Sequence, residues 1–447
     1  MNPMQTIDLL VFPKWLVPID PEGVALVEHA LAIRDGRIVD ILPAAFARQT
    51  YQPADTLELP EHALMPGLVN GHTHSAMALM RGLADDLPLM DWLNHHIWPA
   101  EAAVVSRAFC VDGVRLACAE MIRGGTTCFN DMYFFPDATA EVAAAVGLRA
   151  TIGLLLIDFP TAWATDADDY IRKGLDVYEH QIRRQPLLRA AFAPHAPYTV
   201  SDAPLLKIRA LATEMGLPIH MHVHETADEV KQALVGPDGR RPLARLAALD
   251  LLGPDFIAVH MTQLTDEEIA DCGRLGMSIA HCPESNLKLA SGIAPIAKLI
   301  AAGANVMVGT DGAASNNDLD LLAETRTAAL LAKGASGDPR AVPAATALKL
   351  ATLNGARALG IDNETGSLAI GKSADFIAID LSHASTTPVY DVISTLAYAV
   401  GRDQVTDVYV AGRALMRNRQ LLTLDEPAVL AKAADWRTKI TAAKPSA

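Results

Sequence analysis

Between residues 63 and 310 the chain alternates short apolar stretches with amphipathic helical ones, and this alternation constrains the fold more than any other feature. Strand-then-helix repetition is the mark of a parallel sheet covered by helices. The candidate strands are 63–69, 126–131, 148–156, 188–194, 218–223, 256–260, 276–281 and 305–310. Most run directly into a polar or ionisable residue: His72, Asp131, His195, His222, His260, His281 and Asp311. Eight parallel strands with reactive groups at their carboxyl ends predict a closed, TIM-like (β/α)8 barrel whose site lies on that face. A doubly wound open sheet is the competing arrangement. It advertises a glycine-rich phosphate turn after an early strand, and the sequence has none.

The two ends of the chain read as β-structure. Ala30 to Ile33 and Arg37 to Ile41 flank Asp35-Gly36, a strong hairpin signal. Asp375 to Ile379, Val405 to Val410 and Ala414 to Met416 repeat the theme near the other end. Neither set makes a comfortable sandwich alone. The expectation for this α/β chain is therefore a barrel with a small β-sandwich domain formed by both termini. Residues 1–62 would supply the N-terminal part of the sandwich, 63–365 the barrel and 366–420 the C-terminal part. Residues 421–447 would form an alanine-rich helical tail.

Composition narrows the partners. A 447-residue chain that is 51% hydrophobic and 20% charged is an ordinary folded protein. A formal charge of −15 argues against nucleic acid or an anionic membrane and leaves small molecules. Five cysteines without a CxxC pair read as reduced, buried thiols. The first ten residues lack the basic start and apolar core of a signal peptide, and no apolar run is long enough to cross a bilayer. A cytoplasmic location is expected. A homodimer stays open, since no motif specifies an assembly.

Four features carry chemistry: Gly71-His72-Thr73-His74, His220-Met221-His222-Val223-His224-Glu225, His260, and Gly309-Thr310-Asp311-Gly312. Residues two apart on a strand point the same way, so His72 and His74 can converge on one ion. His222 ends the fifth strand, His260 the sixth, and Asp311 follows the eighth. Three imidazoles and a carboxylate suit Zn²⁺ or a similar metal with a position left for water, and bound Zn²⁺ brings the pKa of water to about 7. An isolated HxH is mostly accidental, and His224 and His281 fit equally the role of buried histidines that only hydrogen-bond. Compatible ligands at four separate strand ends outweigh the accidental reading.

Pro66 to His74, His222-x-x-Glu225, the isolated His260, Ser285 to Leu289 and Gly309 to Asp318 resemble the amidohydrolase superfamily. The similarity runs from about residue 7 to 420 and is greatest to its methylthioadenosine/S-adenosylhomocysteine deaminase branch, related to the triazine chlorohydrolases. The resemblance implies His72, His74, His222 and Asp311 as metal ligands, Glu225 as proton shuttle and His260 as the group that polarises or orients the water. Asp311 would also take up a proton. Glu101 resembles the acid that binds the ribose hydroxyls, and His195 the histidine that contacts the adenine ring; Glu225 and Asp311 would also meet the substrate. Binuclear members carry a modified lysine on the fourth strand. Leu187 to Pro194 has no lysine, which implies one Zn²⁺ per chain, with Fe²⁺ or Mn²⁺ left open.

One departure bears on the substrate. Relatives accepting S-adenosylhomocysteine place an arginine near the end of the third strand, where this chain reads Gly153 to Pro160. Arg149 starts that strand and should face the other end of the barrel. Asp158, Asp166, Asp168 and Asp169 make the region acidic, so an amino-acid carboxylate should be repelled. The expected reaction is hydrolytic deamination of 5′-methylthioadenosine in preference to S-adenosylhomocysteine. The metal constellation alone also allows guanine, cytosine or a chlorotriazine as substrate. The absence of P-C-x-x-C excludes the cytidine-deaminase zinc fold. A non-catalytic binding protein on the same fold would have lost ligands or Glu225, and all are present.

Overall fold

A computed structural model describes residues 4–443. Eight strands form one parallel sheet in sequential order: β1 (Leu68–Thr73), β2 (Thr126–Asp131), β3 (Arg149–Leu156), β4 (Leu188–Pro194), β5 (Ile219–Val223), β6 (Phe256–His260), β7 (Ser278–His281) and β8 (Asn305–Val308). One face of these strands fills the barrel and the other meets helices, so nearly every strand residue is buried. That double burial is why they read as unbroken apolar runs instead of alternating ones.

Hydrogen bonds from the segment just past β8 close the barrel. Asp311 N–H donates to the His72 carbonyl at 3.0 Å, Thr310 N–H to Asn70 Oδ1 at 3.0 Å, and Asn70 Nδ2 to Thr310 Oγ1 at 2.8 Å. Gly309 permits this approach, because a Cβ there would lie 2.7 Å from the His72 nitrogen. The seam sets Asp311 beside His72.

Strands from both chain ends build a second, nine-stranded mixed sheet. Its centre is the parallel pair Gln5–Leu16 and Tyr51–Pro66, and Phe376–Asp380 pairs antiparallel with the latter. Alternation along the first strand sends Leu9 and Val11 into one cluster with Leu31 and Phe376. Leu10 and Phe12 enter another, covered by Ala47 of the helix Ala44–Thr50. The expected barrel strand 63–69 needs correction. Ala63 to Pro66 pair with Ile379 to Phe376 in this terminal sheet, and the barrel begins only at Leu68. Apolar composition marks burial, not which sheet does the burying. Gly67 makes the switch, where a Cβ would come within 2.1 Å of the Thr127 side chain.

Helix Glu426–Ala443 packs on helix Arg107–Arg123, with Trp436 against Phe109 and its indole N–H bonded to Asp112 at 2.9 Å. Residues 1–3 of the expected sandwich segment and 444–447 of the expected tail lie outside the described residues. Among the described residues, no helix is long and apolar enough to cross a membrane. Arg149 starts β3 at the face away from the mouth, as expected, and is buried against Asp375, Ser373 and Glu364.

Candidate metal centre and substrate cavity

The strand ends bring the sequence-predicted residues to one mouth. His222 Nε2 lies 3.2 Å from His72 Nε2 and 3.3 Å from His74 Nε2. Asp311 Oδ1 lies 3.4 Å from the first of these partners, His72, and 3.3 Å from His74. The far nitrogens decide what the near ones offer. His74 Nδ1 donates to the Met132 carbonyl, and His222 Nδ1 to the His195 carbonyl at 2.7 Å. A neutral imidazole that donates through Nδ1 has only a lone pair at Nε2. Two lone pairs therefore face one another, an arrangement that a cation between them makes favourable. Burial holds the His72 and His222 rings below the ordinary histidine range, in the neutral form that binds metal. Two nitrogens bound tetrahedrally to zinc sit about 3.3 Å apart, so the donor set fits such an ion. His72, His74 and His222 form one group able to hold a cation, and His72, His260 and Asp311 another.

The remaining atoms of these side chains are held from behind. Asp311 Oδ2 accepts the hydroxyls of Ser285 at 2.6 Å and Ser315 at 3.1 Å. His72 Nδ1 meets His220 Nε2 at 3.0 Å. Asp131 brackets His74, accepting Thr73 Oγ1 at 2.9 Å and the Ser75 N–H at 2.7 Å. His260 Nδ1 lies 3.0 Å from the Asn286 amide nitrogen, and its Nε2 lies 3.7 Å from Glu225 Oε2. Burial pushes the His260 ring down to about 3, so it is neutral.

Glu225 follows β5 and is buried at the mouth. Burial, with Asp311 and Glu229 adding to it, pushes its carboxyl well above the ordinary range and favours the protonated form. The Glu229 carboxylate fixes this turn by accepting the backbone N–H of Glu225 at 2.7 Å and of His224 at 3.1 Å. His224 has the bland role allowed for it: its ring bonds the Gln263 carbonyl and the Leu243 N–H. His281 is buried with neither ring nitrogen partnered by protein.

A cavity of about 500 Å³ opens over this cluster. His74, Glu101, His195, His222, Glu225, His260 and Asp311 all line it, while His72 lies fully buried beneath. Glu101 stands on the short helix Trp98–Val104, and Tyr133 donates to its Oε1 at 2.7 Å. Burial raises the Glu101 carboxyl to about 7, with the Tyr133 bond opposing. His195 Nδ1 lies 3.0 Å from Thr199 Oγ1, whose hydroxyl also donates to the Ala196 carbonyl at 3.1 Å. Next to the lining residue Leu289, Lys288 donates to Asp85 and, at 2.6 Å, to Asn317.

The acidic region after β3 is arranged differently from expectation. Asp158 accepts the Ser201 N–H, Asp166 caps the helix Ala167–Val177, Asp168 pairs with Lys207 and Asp169 with Arg172 and Lys173. None of them lines the cavity. Short polar residues next to helix starts are recruited as caps and surface pairs before they face a ligand. What lines this wall is Leu155, Ile157 and Phe159, and among the described lining residues there is no lysine or arginine.

Sequence reasoning did not single out Tyr133, Ser285 or Ser315 for a task, nor Asp131 beyond its place at a strand end. Asp131, Tyr133 and Ser285 lie at or within four residues of a strand end, and that was the available signal.

A model described as the amidohydrolase family matches residues 63–415. Over 440 residues the chain is 48% identical to a 5-methylthioadenosine/S-adenosylhomocysteine deaminase of Saccharophagus degradans, covering 98% of each protein. It is 42% identical to a 5′-deoxyadenosine deaminase of Methanosarcina barkeri, covering 95% of this chain and 96% of that one. Its fold matches the crystal structure of an adenosine deaminase from Xanthomonas campestris with bound zinc, with a TM-score of 0.97 and 52% identity. That match covers 98% of this chain and 100% of the other. With the donor set at the strand ends and relatedness over almost its full length, the chain belongs to the amidohydrolase family.

Proposed function

We propose that this enzyme hydrolytically deaminates an adenine nucleoside with an apolar 5′ group, and prefers 5′-methylthioadenosine to S-adenosylhomocysteine. The observation that carries the reading is the meeting of three imidazole Nε2 atoms and Asp311 with the buried Glu225 in one cavity. His72, His74, His222 and Asp311 are assigned as ligands of a single divalent cation. Zinc is favoured by the Xanthomonas relative, although the same donors accept Fe²⁺ or Mn²⁺. A single ion suits β4, which has no lysine to bridge a second. When bound, the cation supplies Lewis-acid activation of the attacking water.

The chain's own groups do the rest. Glu225 gives its proton to the ring nitrogen beside C6, and Asp311 takes the proton that the attacking water sheds. His260 orients that water through Nε2. Asp311 passes that proton to the amino group as the C6–N bond breaks, ammonia leaves, the hydroxyl proton returns to Glu225, and the inosine product remains. Glu101 accepts from the ribose hydroxyls, and His195 contacts the purine. Only Glu101 and His195 favour a nucleoside over a free base or a triazine.

Preference for the thioether rests on the wall after β3. Leu155, Ile157 and Phe159 suit a methylthio group, and an amino-acid carboxylate there would find no cation. A buried, unpaired carboxylate costs several kcal/mol. The name of the Methanosarcina relative, with a 5′-deoxy substrate, supports an apolar 5′ group. A cytoplasmic location belongs to the same proposal, because all five cysteines are buried free thiols.

The test is a kinetic screen of the zinc-loaded protein on 5′-methylthioadenosine, S-adenosylhomocysteine, adenosine, guanine, cytosine and a chlorotriazine. The expected result is a kcat/KM for 5′-methylthioadenosine well above the rest. Equal values for the two thioethers would overturn the preference. Turnover of only a free base or triazine would overturn the nucleoside reading.

A further inference from the structure

The helix that carries Glu101 is weak by construction. Trp98–Val104 has seven residues, far below the length at which an isolated helix is stable. It follows a π-helical turn, Leu93–Ile97, and none of its own residues is fully buried. Its side chains must therefore be fixed by partners elsewhere in the fold. For Glu101 that partner is Tyr133, which is 5% exposed and donates to Oε1 at 2.7 Å.

The turn that carries Tyr133 is unusually constrained. Asp131, at the end of β2, accepts from Thr73 and from the Ser75 N–H on either side of His74. The Met132 carbonyl accepts from the His74 ring. The Tyr133 ring meets Phe134 edge-on, with centroids 5.0 Å apart. Phe135 then turns into the left-handed region at φ 53°, and the helix Pro136–Val146 begins. Three successive residues thus grip His74 at one end of the cavity and Glu101 at the other.

We infer that Tyr133 is a positioning residue for ribose recognition: it orients the Glu101 carboxylate so that Glu101 accepts the 2′ and 3′ hydroxyls of a nucleoside. This rests on the reading of Glu101 given above. A carboxylate offers about four acceptor directions, and a vicinal diol needs two of them in one plane. A bond from Tyr133 to Oε1 fixes that plane and leaves the remaining directions to the substrate. Without it the carboxylate rotates freely, and each hydroxyl bond must be made at the cost of ordering the side chain.

The experiment compares wild type and Tyr133→Phe on 5′-methylthioadenosine and its 2′,3′-dideoxy analogue, reading kcat and KM separately. Tyr133→Phe removes one oxygen and keeps the ring contacts. The expected result is a loss of about tenfold in kcat/KM for the riboside, carried by KM. On the dideoxy analogue the two proteins should agree within about twofold, because no diol remains to be recognised. An equal loss on both substrates would show a merely structural role and overturn the inference. So would a variant that discriminates the diol as well as wild type does. If wild type itself ignores the missing hydroxyls, the assignment of Glu101 to ribose fails, and the inference fails with it.

Discussion

Replacing Ser285 with alanine tests how Asp311 is held. Asp311 is 5% exposed, and its Oδ2 faces two hydroxyls, Ser285 at 2.6 Å and Ser315 at 3.1 Å. A serine has one proton to give. Ser315 Oγ also lies 3.1 Å from the Gly312 carbonyl, so its proton is shared between two acceptors. Ser285 Oγ also lies 3.0 Å from Ser315 Oγ, but its 2.6 Å carboxylate bond is the shortest of these and makes it the firmer donor. A hydrogen bond to a charged group contributes about 1.5–3 kcal/mol, or about ten- to a hundred-and-fiftyfold in an equilibrium constant. Groups of this kind behind metal ligands change metal affinity by about ten- to a hundredfold. Ser285→Ala is therefore expected to weaken zinc binding at least about tenfold, and Ser315→Ala by less than about fivefold. Competition against a chromophoric chelator measures both constants without reference to turnover. If Ser285→Ala binds zinc within twofold of wild type, or Ser315→Ala costs more, Asp311 is held by its backbone and the hydroxyls are incidental.

Glu225→Gln keeps the shape but cannot hand over a proton. It should bind metal like wild type and lose about a hundred- to ten-thousandfold in kcat, and strong residual turnover would move the proton transfer to another group. Glu101 gives a pH-dependent prediction. Burial raises its carboxyl to about 7 from the 4.5 of the unfolded chain. The folded protein thus holds this proton more tightly, so the group's stabilising contribution is full below about 4.5 and is lost as pH rises through about 7. Glu101→Gln should therefore match wild type in unfolding free energy near pH 4.5 and exceed it at pH 8 by at most about 3 kcal/mol, seen as a higher Tm, while kcat/KM for ribosides falls. Identical Tm values at pH 8 would mean that the carboxyl is not raised.

The parts of the site legible in the sequence were those that depend on one strand at a time. His72 and His74 share a direction because strand residues two apart do, and His222, His260 and Asp311 each sit at or just past the end of an apolar run. Whatever depends on two elements meeting was not legible. The run 63–69 looked like one strand, yet Pro66-Gly67 divides it between two sheets, since hydrophobicity reports burial without naming the neighbour. The aspartates after β3 looked like a repulsive wall, but capping and lysine or arginine partners draw them away from the cavity. Tyr133 and Ser285 act through residues 32 and 26 positions away, and no local pattern encodes such distances.

The backbone at the mouth shows why these distant meetings matter. His224 at φ 53°, His260 at φ 75°, Met261 at φ 53° and Asp311 at φ 63° all occupy the left-handed region. Each such residue costs about 1–3 kcal/mol and persists only where its surroundings over-determine it. The surroundings are the neighbouring strand ends. Met261 N–H donates to the Val223 carbonyl at 3.2 Å, Thr262 N–H to the His224 carbonyl at 3.0 Å, and Thr262 Oγ1 to the Glu225 carbonyl at 2.7 Å. The turns after β5 and β6 thereby hold one another. Asp311 is held in the same way from across the seam, through its N–H to the His72 carbonyl. Each strained turn is thus fixed by the strand beside it, so the donor geometry depends on the barrel being closed. The bond that joins the last strand to the first is also the constraint that keeps Asp311 within 3.4 Å of His72.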